Sequence, residues 1–264
     1  MSLRAAYQRD LTRELVGAPA SPLITAGDLA ALPTPVGRYL EVTGVIGQPR
    51  VANFRVRMHG RIRSDAGARW MPLQAEQHNV IEHRSRLFYL TSSMFGVPVR
   101  GYHRYIDGSA SMDITLAGLF SVAHATGEEL FQSETVTFLN DMCLFAPASL
   151  LDPQLAWSTI DARTVRVHFT NAGVAVRAQL SFNDAGELID FVSDDRYQAR
   201  SDGKRSTRCR WSTPVKGYRS FGPMRLVGAG EGCWLAETGP YPYIELEIDD
   251  VAYNVGRDDP RRLR

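Results

Sequence analysis

Glu134 and Asp141 are the residues of this 264-residue chain best placed to do chemistry. Segment 127–143 carries a helical period, and Leu130, Phe131, Phe138, Leu139, Met142 and Phe145 gather into one apolar stripe. With Phe131 at 0°, Glu134 falls at about −60° and Asp141 at about −80°, both inside that stripe. A carboxylate on an apolar face must be paired, protonated or turned to a polar cavity, because burying it alone costs several kcal/mol. Seven residues apart, the two stand about 10.5 Å from each other along the axis, too far to touch but within reach of one bridging molecule. Three readings stand. Each pairs with a sheet arginine such as Arg104 or Arg196 and anchors the helix; both line a polar patch in a ligand cavity; or, with pKa raised by burial, they act as acid and base.

Other groups extend the candidate set. Asp113 and Asp195 are further carboxylates for acid/base work, with Tyr102 and Trp211 as stacking walls. His78 and His83 lie five apart, on opposite faces of any one strand, so with Glu76 they read as surface polar residues around a hairpin; only a turn between them would bring both to one metal. The row Arg55, Arg57, His59, Arg61, Arg63 lacks the aromatics that single-strand nucleic acid binding favours and reads first as a solvated face, with an anionic ligand or lipid headgroup as the alternative. Gly228-Ala229-Gly230-Glu231-Gly232 leads into the strand pattern Cys233-Trp234-Leu235, whereas dinucleotide binding needs a helix there; a turn or bulge is expected. No G-x-S-x-G, Walker, H-E-x-x-H or paired C-x-x-C motif occurs, and no cofactor or metal is expected.

These groups must be positioned by a sheet. Two helical patterns open the chain near 3–15 and 25–42, the second with a Thr25/Asp28 cap signal and interrupted by Pro33 and Pro35. From residue 50 the period changes to two: Phe54, Val56, Met58 and Ile62 alternate with the basic row. Strands are predicted near 50–63, 69–79, 84–93, 99–107 and 109–116. A helix at 127–143 follows, started by a Thr126/Glu129 capping box, then a helical turn at 147–151. Further strands are read at 163–170, 173–183, 187–198, 205–213, 224–236 and 241–253, the hairpin 173–198 being the clearest. Consecutive hairpin-linked strands make a meander. Glu245, Glu247 and Asp249 on the last strand complement the basic row of the first, which predicts that first and last strands are neighbours.

The fold class is therefore α+β, mostly β: a large curved antiparallel sheet, half-barrel or open barrel, with a helical lid and N-terminal helices. The expected organisation is a helical segment 1–48 packed on an antiparallel domain 49–255 with a helical insert 127–151, then a flexible tail 256–264. A formal net charge of +1, with 30 basic against 29 acidic residues, argues against a nucleic-acid partner. Three cysteines without paired spacing read as reduced thiols. Residues 3–17 put Arg, Asp and Glu where a secretory signal needs an apolar core, and no stretch approaches the ~20 apolar residues of a membrane helix; the expected location is cytoplasmic.

Four blocks carry a resemblance: TFLNDMCLFAPASLLDP (137–153), HFTNAGVAVRAQLSFNDAGELIDFVSDDRY (168–197), Trp211-Ser212-Thr213-Pro214 and DDVAYNV (249–255). They resemble a bacterial family described only as uncharacterised, over roughly residues 30–255; it has no established activity and implies no catalytic residues. The order of elements is also similar to lipoprotein-carrier proteins, which implies a half-barrel around an apolar cavity closed by helices, although such carriers are exported and this chain shows no export signal. Three functions follow, in order: a binding module for a hydrophobic or amphipathic small molecule, with Arg104, Arg196 or the helix carboxylates holding its polar end; an enzyme using Glu134, Asp141, Asp113 or Asp195 on a polar substrate; and a domain that binds another protein.

Overall fold

Strict alternation from Asn53 onward builds the frame of the molecule. The computed structural model describes residues 2–15, 21–199, 206–237 and 239–256. Helix α1 (Leu3–Glu14) comes first, then a 3-10 turn (Ala26–Leu29) and helix α2 (Thr34–Thr43). Six strands follow: β1 (Asn53–Ile62), β2 (Met71–Val80), β3 (Ser85–Met94), β4 (Val97–Ile106), β5 (Ser109–Leu116) and β6 (Phe120–Thr126). Helix α3 (Glu128–Phe145) and a 3-10 turn (Pro147–Leu151) lead to β7 (Ala156–Asp161), β8 (Thr164–Asn171), β9 (Val174–Phe182), β10 (Leu188–Ala199) and β11 (Ser206–Ser212). The chain closes with β12 (Val215–Lys216), β13 (Arg219–Phe221), β14 (Met224–Leu226), β15 (Ala229–Ala236) and β16 (Gly239–Tyr253). Of the expected tail 256–264, all but Gly256 lies outside the described residues.

All these strands pair antiparallel in the order β6-β5-β4-β3-β2-β1-β16-β15-β11-β10-β9-β8-β7, with β12 beside β15 and β13–β14 as a separate ribbon. The first and last long strands are neighbours, as the charge rows require: Arg57 opposes Asp250, His59 opposes Glu247 and Arg61 opposes Glu245. The Arg61–Glu245 pair is bidentate at 2.7 and 2.8 Å. Arg55 departs from the solvated-face expectation; it is buried and pairs with Asp250. Gly60 is required in β1 because β16 presses on it: a Cβ there would sit 1.9 Å from the Glu245 carbonyl oxygen.

The sheet curls around α3. Asn171 of β8 donates to the Tyr105 hydroxyl of β4 at 2.6 Å, although these strands are far apart in the strand order. From Ser133 to Phe145 every residue of α3 is buried, so the helix is surrounded on all sides and not only along one stripe. Phe138 stacks on Phe169 and lies against Tyr105, the Tyr39 hydroxyl of α2 donates to the Cys143 carbonyl at 2.7 Å, and Tyr253 donates to Phe145 at 2.5 Å. On the convex side α1 packs Tyr7, Leu11 and Leu15 against Val80, Leu87, Tyr89, Tyr102 and Ile106.

Several local expectations are corrected. Pro33 and Pro35 begin α2 instead of interrupting a longer helix, since proline is tolerated in a first helical turn. The Thr126/Glu129 box does not form: Thr126 still belongs to β6, Gly127 at φ 105° turns the chain into α3, and Glu129 accepts from the Ser206 hydroxyl. Strands β6 and β7 were not expected; both are edge strands with largely exposed side chains, which leaves no alternation to read. The segment 224–236 divides into β14 and β15, and the glycine run carries the expected bulge, at Gly232/Cys233.

Candidate functional site

The site begins from the inward faces of β1 to β3. On β2, Leu73, Ala75, Gln77 and Asn79 share one face; on β3, Arg86, Phe88 and Leu90 do. That alternation carries Arg86 inward along with the apolar residues that follow it, straight toward α3. Its Nη1 donates to Glu134 at 2.9 Å, its Nε to Asp141 at 2.7 Å and its Nη2 to Gln77 at 3.0 Å. One guanidinium thus spans the gap between two carboxylates seven residues apart. Gln77 and Asn79 also donate to Asp141, at 2.8 and 3.2 Å, and His103 of β4 reaches Glu134 at 3.4 Å.

Burial raises both carboxyls, and charge separates them. At Glu134 the Arg86 guanidinium, with His103 and Arg196, outweighs desolvation and holds the pKa down at about 2. At Asp141 burial wins: its pKa stays above the ordinary value despite Arg86 and Asn79, and the nearby Glu134 charge adds to the rise.

Above this ionic floor lies a cavity of about 150 Å³. Met58, Phe88, Leu90, Leu144 and Phe145 supply buried apolar wall, and β16 adds Ile244, Leu246 and Ile248. Ile62, His103, Arg196, Tyr243, Ile244 and Leu246 are half-exposed and mark where the cavity meets solvent. A bulge in β10 between Ser193 and Arg196 changes the side-chain parity there and brings Arg196 to the wall. Its guanidinium lies 4.2 Å from the ring centre of Trp211 and 5.4 Å from that of Trp234, and Nη1 donates to Tyr243 at 3.3 Å. Two donors on this wall, Arg196 Nε and Trp211 Nε1, are buried without an acceptor among the described residues. A larger groove of about 820 Å³ runs past Arg104, Ser111, Thr126, Glu128 and Gln132, with Phe131, Val174 and Tyr197 also in its walls, but it lacks a buried ionic group.

Glu134, Asp141, Arg196 and Trp211 therefore converge, and the remaining expected residues do not. Tyr102 and Arg104 face the convex side, where both hold Asp10 of α1, at 2.9 and 3.3 Å. Asp113 pairs with His124 at 2.6 Å on the β5–β6 edge. Asp195 is tied to Arg208 and accepts from the Arg177 amide at 2.7 Å. Pairing of the helix carboxylates with Arg104 or Arg196 is replaced by pairing with Arg86, which sequence reasoning missed although it shares a face with Phe88 and Leu90. His78, expected at the surface, is buried under α1 with its Nδ1 2.7 Å from the Tyr7 hydroxyl. Among the described residues no group of three or more His, Cys, Asp or Glu is placed to hold a metal ion.

No curated protein matches the sequence. Among solved structures, a putative outer membrane lipoprotein-sorting protein domain from Vibrio parahaemolyticus is 10% identical with a TM-score of 0.37, over 80% of this chain and 91% of that one. A DUF1329 family protein from Desulfovibrio piger is 8% identical with a TM-score of 0.42, over 89% and 95%. A LolA superfamily protein from Nitrosomonas europaea is 11% identical with a TM-score of 0.36, over 91% and 97%. At these TM-scores the likenesses are loose. The sequence itself is more decisive: residues 22–246 match a family described as a family of unknown function, DUF6544, and the chain belongs to that family.

Proposed function

We propose that the concave face binds one small amphipathic molecule, with its apolar part against Phe88, Leu90, Leu246 and Ile248 and an acceptor group at Arg196 and Trp211. The observation that carries this reading is the pair of unpartnered buried donors on the wall of a cavity whose exposed lining is mostly apolar. A buried N–H without an acceptor costs about 1–3 kcal/mol, and a ligand oxygen removes that cost. Arg86 is shared by Glu134 and Asp141, whereas Arg196 has no carboxylate within ion-pair distance among the described residues, which leaves its guanidinium open to an acceptor group of the ligand. Volume limits the ligand. An apolar cavity of about this size takes a ring the size of benzene; drug-sized ligands need roughly 300 Å³ or more. A ring or short alkyl segment enters, and the rest of a longer molecule projects past Ile62 and Tyr243.

The acid/base alternative has lost its footing. Glu134 and Asp141 share one guanidinium, while Asp113 and Asp195 stand elsewhere with partners of their own.

Calorimetry with straight-chain carboxylates from butanoate to decanoate tests the proposal. Affinity should rise by about 0.8 kcal/mol per added CH₂ while the chain is being buried, then level off once the cavity is full. Arg196→Met should weaken binding about tenfold or more, and Leu246→Trp should abolish it by filling the space. Affinities independent of chain length, or unchanged in both variants, would count decisively against the site.

A further inference from the structure

We propose that the end of the sheet formed by the β1–β2, β3–β4 and β5–β6 turns docks on the surface of an anionic lipid bilayer. The strand register puts these three turns side by side at one end. Two of the tips are apolar and exposed, Phe95 in the β3–β4 turn and Leu119 in the β5–β6 turn each being 82% accessible and Phe120 66%, while the β1–β2 turn carries the polar run Arg63-Ser64-Asp65. Folding does not require them. Phe95 and Gly96, with φ of 52° and 81°, fill the centre of a two-residue turn between β3 and β4. That geometry favours Asn-Gly or Asp-Gly, and an aromatic residue at positive φ is strained. At the opposite end of the sheet the β4–β5 turn uses Asp107-Gly108, the pattern the backbone prefers. The strained Phe95 is therefore placed for what it presents to its surroundings.

The partner's charge follows from the flanks. The Arg69 guanidinium lies 5.9 Å from the Phe95 ring, and that of Arg100 is 3.5 Å from where a side chain on Gly118 would begin. Neither is ion-paired with an acidic residue among the described residues. Arg61 and Arg63 stack on the half-buried Trp70 in the neighbouring turn, and of these only Arg61 is neutralised, by Glu245. Two apolar tips flanked by Arg63, Arg69, Arg100 and Trp70, against the single carboxylate of Asp65 in the β1–β2 turn, suit a headgroup layer: side chains enter the acyl boundary while cations meet phosphates. A second copy of the chain fits less well, since the same cations would oppose each other. The proposal stands whether or not the concave cavity takes a ligand, although the half-exposed cavity residues Ile62, Tyr243 and Ile244 lie at this same end.

Cosedimentation of the full chain with vesicles of equal parts phosphatidylcholine and phosphatidylglycerol, against phosphatidylcholine alone, is the test. The mixed vesicles should bind more tightly, and replacing Arg69 and Arg100 by Gln should remove that preference, about fivefold for each arginine. Phe95→Asn with Leu119→Ser should weaken binding to both vesicles, about tenfold per residue. Because Asn suits the turn, that variant should melt no lower than the parent, which separates lost docking from lost folding. The proposal is overturned if the parent binds neither vesicle, if the Phe95/Leu119 variant binds unchanged, or if the tips instead hold a dimer that the variant dissolves.

Discussion

Strands β2 to β4 bury ionised groups on both of their faces, and the two faces use them differently. On the convex side Asp10 is met by Tyr102 and Arg104, Tyr7 is met by Glu76 and His78, and the Tyr7 ring packs on those of Tyr89 and Tyr102 at centroid distances of 5.5 and 5.7 Å. On the concave side Arg86, Glu134 and Asp141 are equally well matched, yet beside them remain about 150 Å³ of space and two donors without acceptors. Buried charge alone therefore does not mark a site in this protein. What marks the concave cavity is unused hydrogen-bonding capacity at Arg196 and Trp211 next to room for a ligand.

The largest effect should come from Arg86→Met, which leaves two buried carboxylates without their shared cation; urea unfolding should show a loss of about 3–5 kcal/mol or more. A loss below about 1 kcal/mol would mean the concave cluster is no different from a surface pair.

Glu134 and the convex tyrosines should also respond at opposite ends of the pH scale. Glu134 is held at about 2 against an ordinary 4.5, so its contribution is present above about 4.5 and is lost as pH falls toward 2, about 3 kcal/mol in full. Asp141, raised by burial, works in the opposite sense: it gains a proton more readily in the folded chain and does not drive this loss. Tyr7 and Tyr102 are raised by burial and by Glu76 and Asp10 respectively, so the stability they confer is present below pH 10 and falls as pH rises past it. Stability measured against pH should thus have an acid limb that Glu134→Gln flattens and an alkaline limb that Tyr102→Phe reduces.

At neutral pH Tyr102→Phe should cost about 1.5–3 kcal/mol, the value of a hydrogen bond to a charged acceptor. Arg104→Gln should cost least, about 0.2–1 kcal/mol, because its guanidinium is partly solvated and Asp10 keeps Tyr102. An effect of Arg104→Gln as large as that of Arg86→Met would erase the distinction between the faces.

Much of this was legible in the sequence where one face of an element differs from the other. The β1 alternation and the opposite charges on β16 disclosed both strands and their adjacency. The two carboxylates in the α3 stripe disclosed a buried polar cluster. Arg86 was hidden because an arginine just before an apolar pair reads as a solvated strand end, and only the hairpin register carries it under the helix. Tyr102 and Arg104 were assigned to the wrong face because the second core, under α1, has no signature of its own; nothing in LRAAYQRDLTRE says which side of a sheet it covers. The parity change at the β10 bulge, which brings Arg196 to the cavity wall, is equally invisible to a period-two reading.

The most direct measurement follows the four tryptophan indole N–H signals by NMR while octanoate is added. Trp211, whose Nε1 has no acceptor in the free protein, should move far downfield and saturate with one ligand per chain, while Trp70 and Trp157, which do not line the cavity, stay put. A stationary Trp211 signal, or shifts confined to Trp70 or Trp157, would contradict a binding site on the concave face.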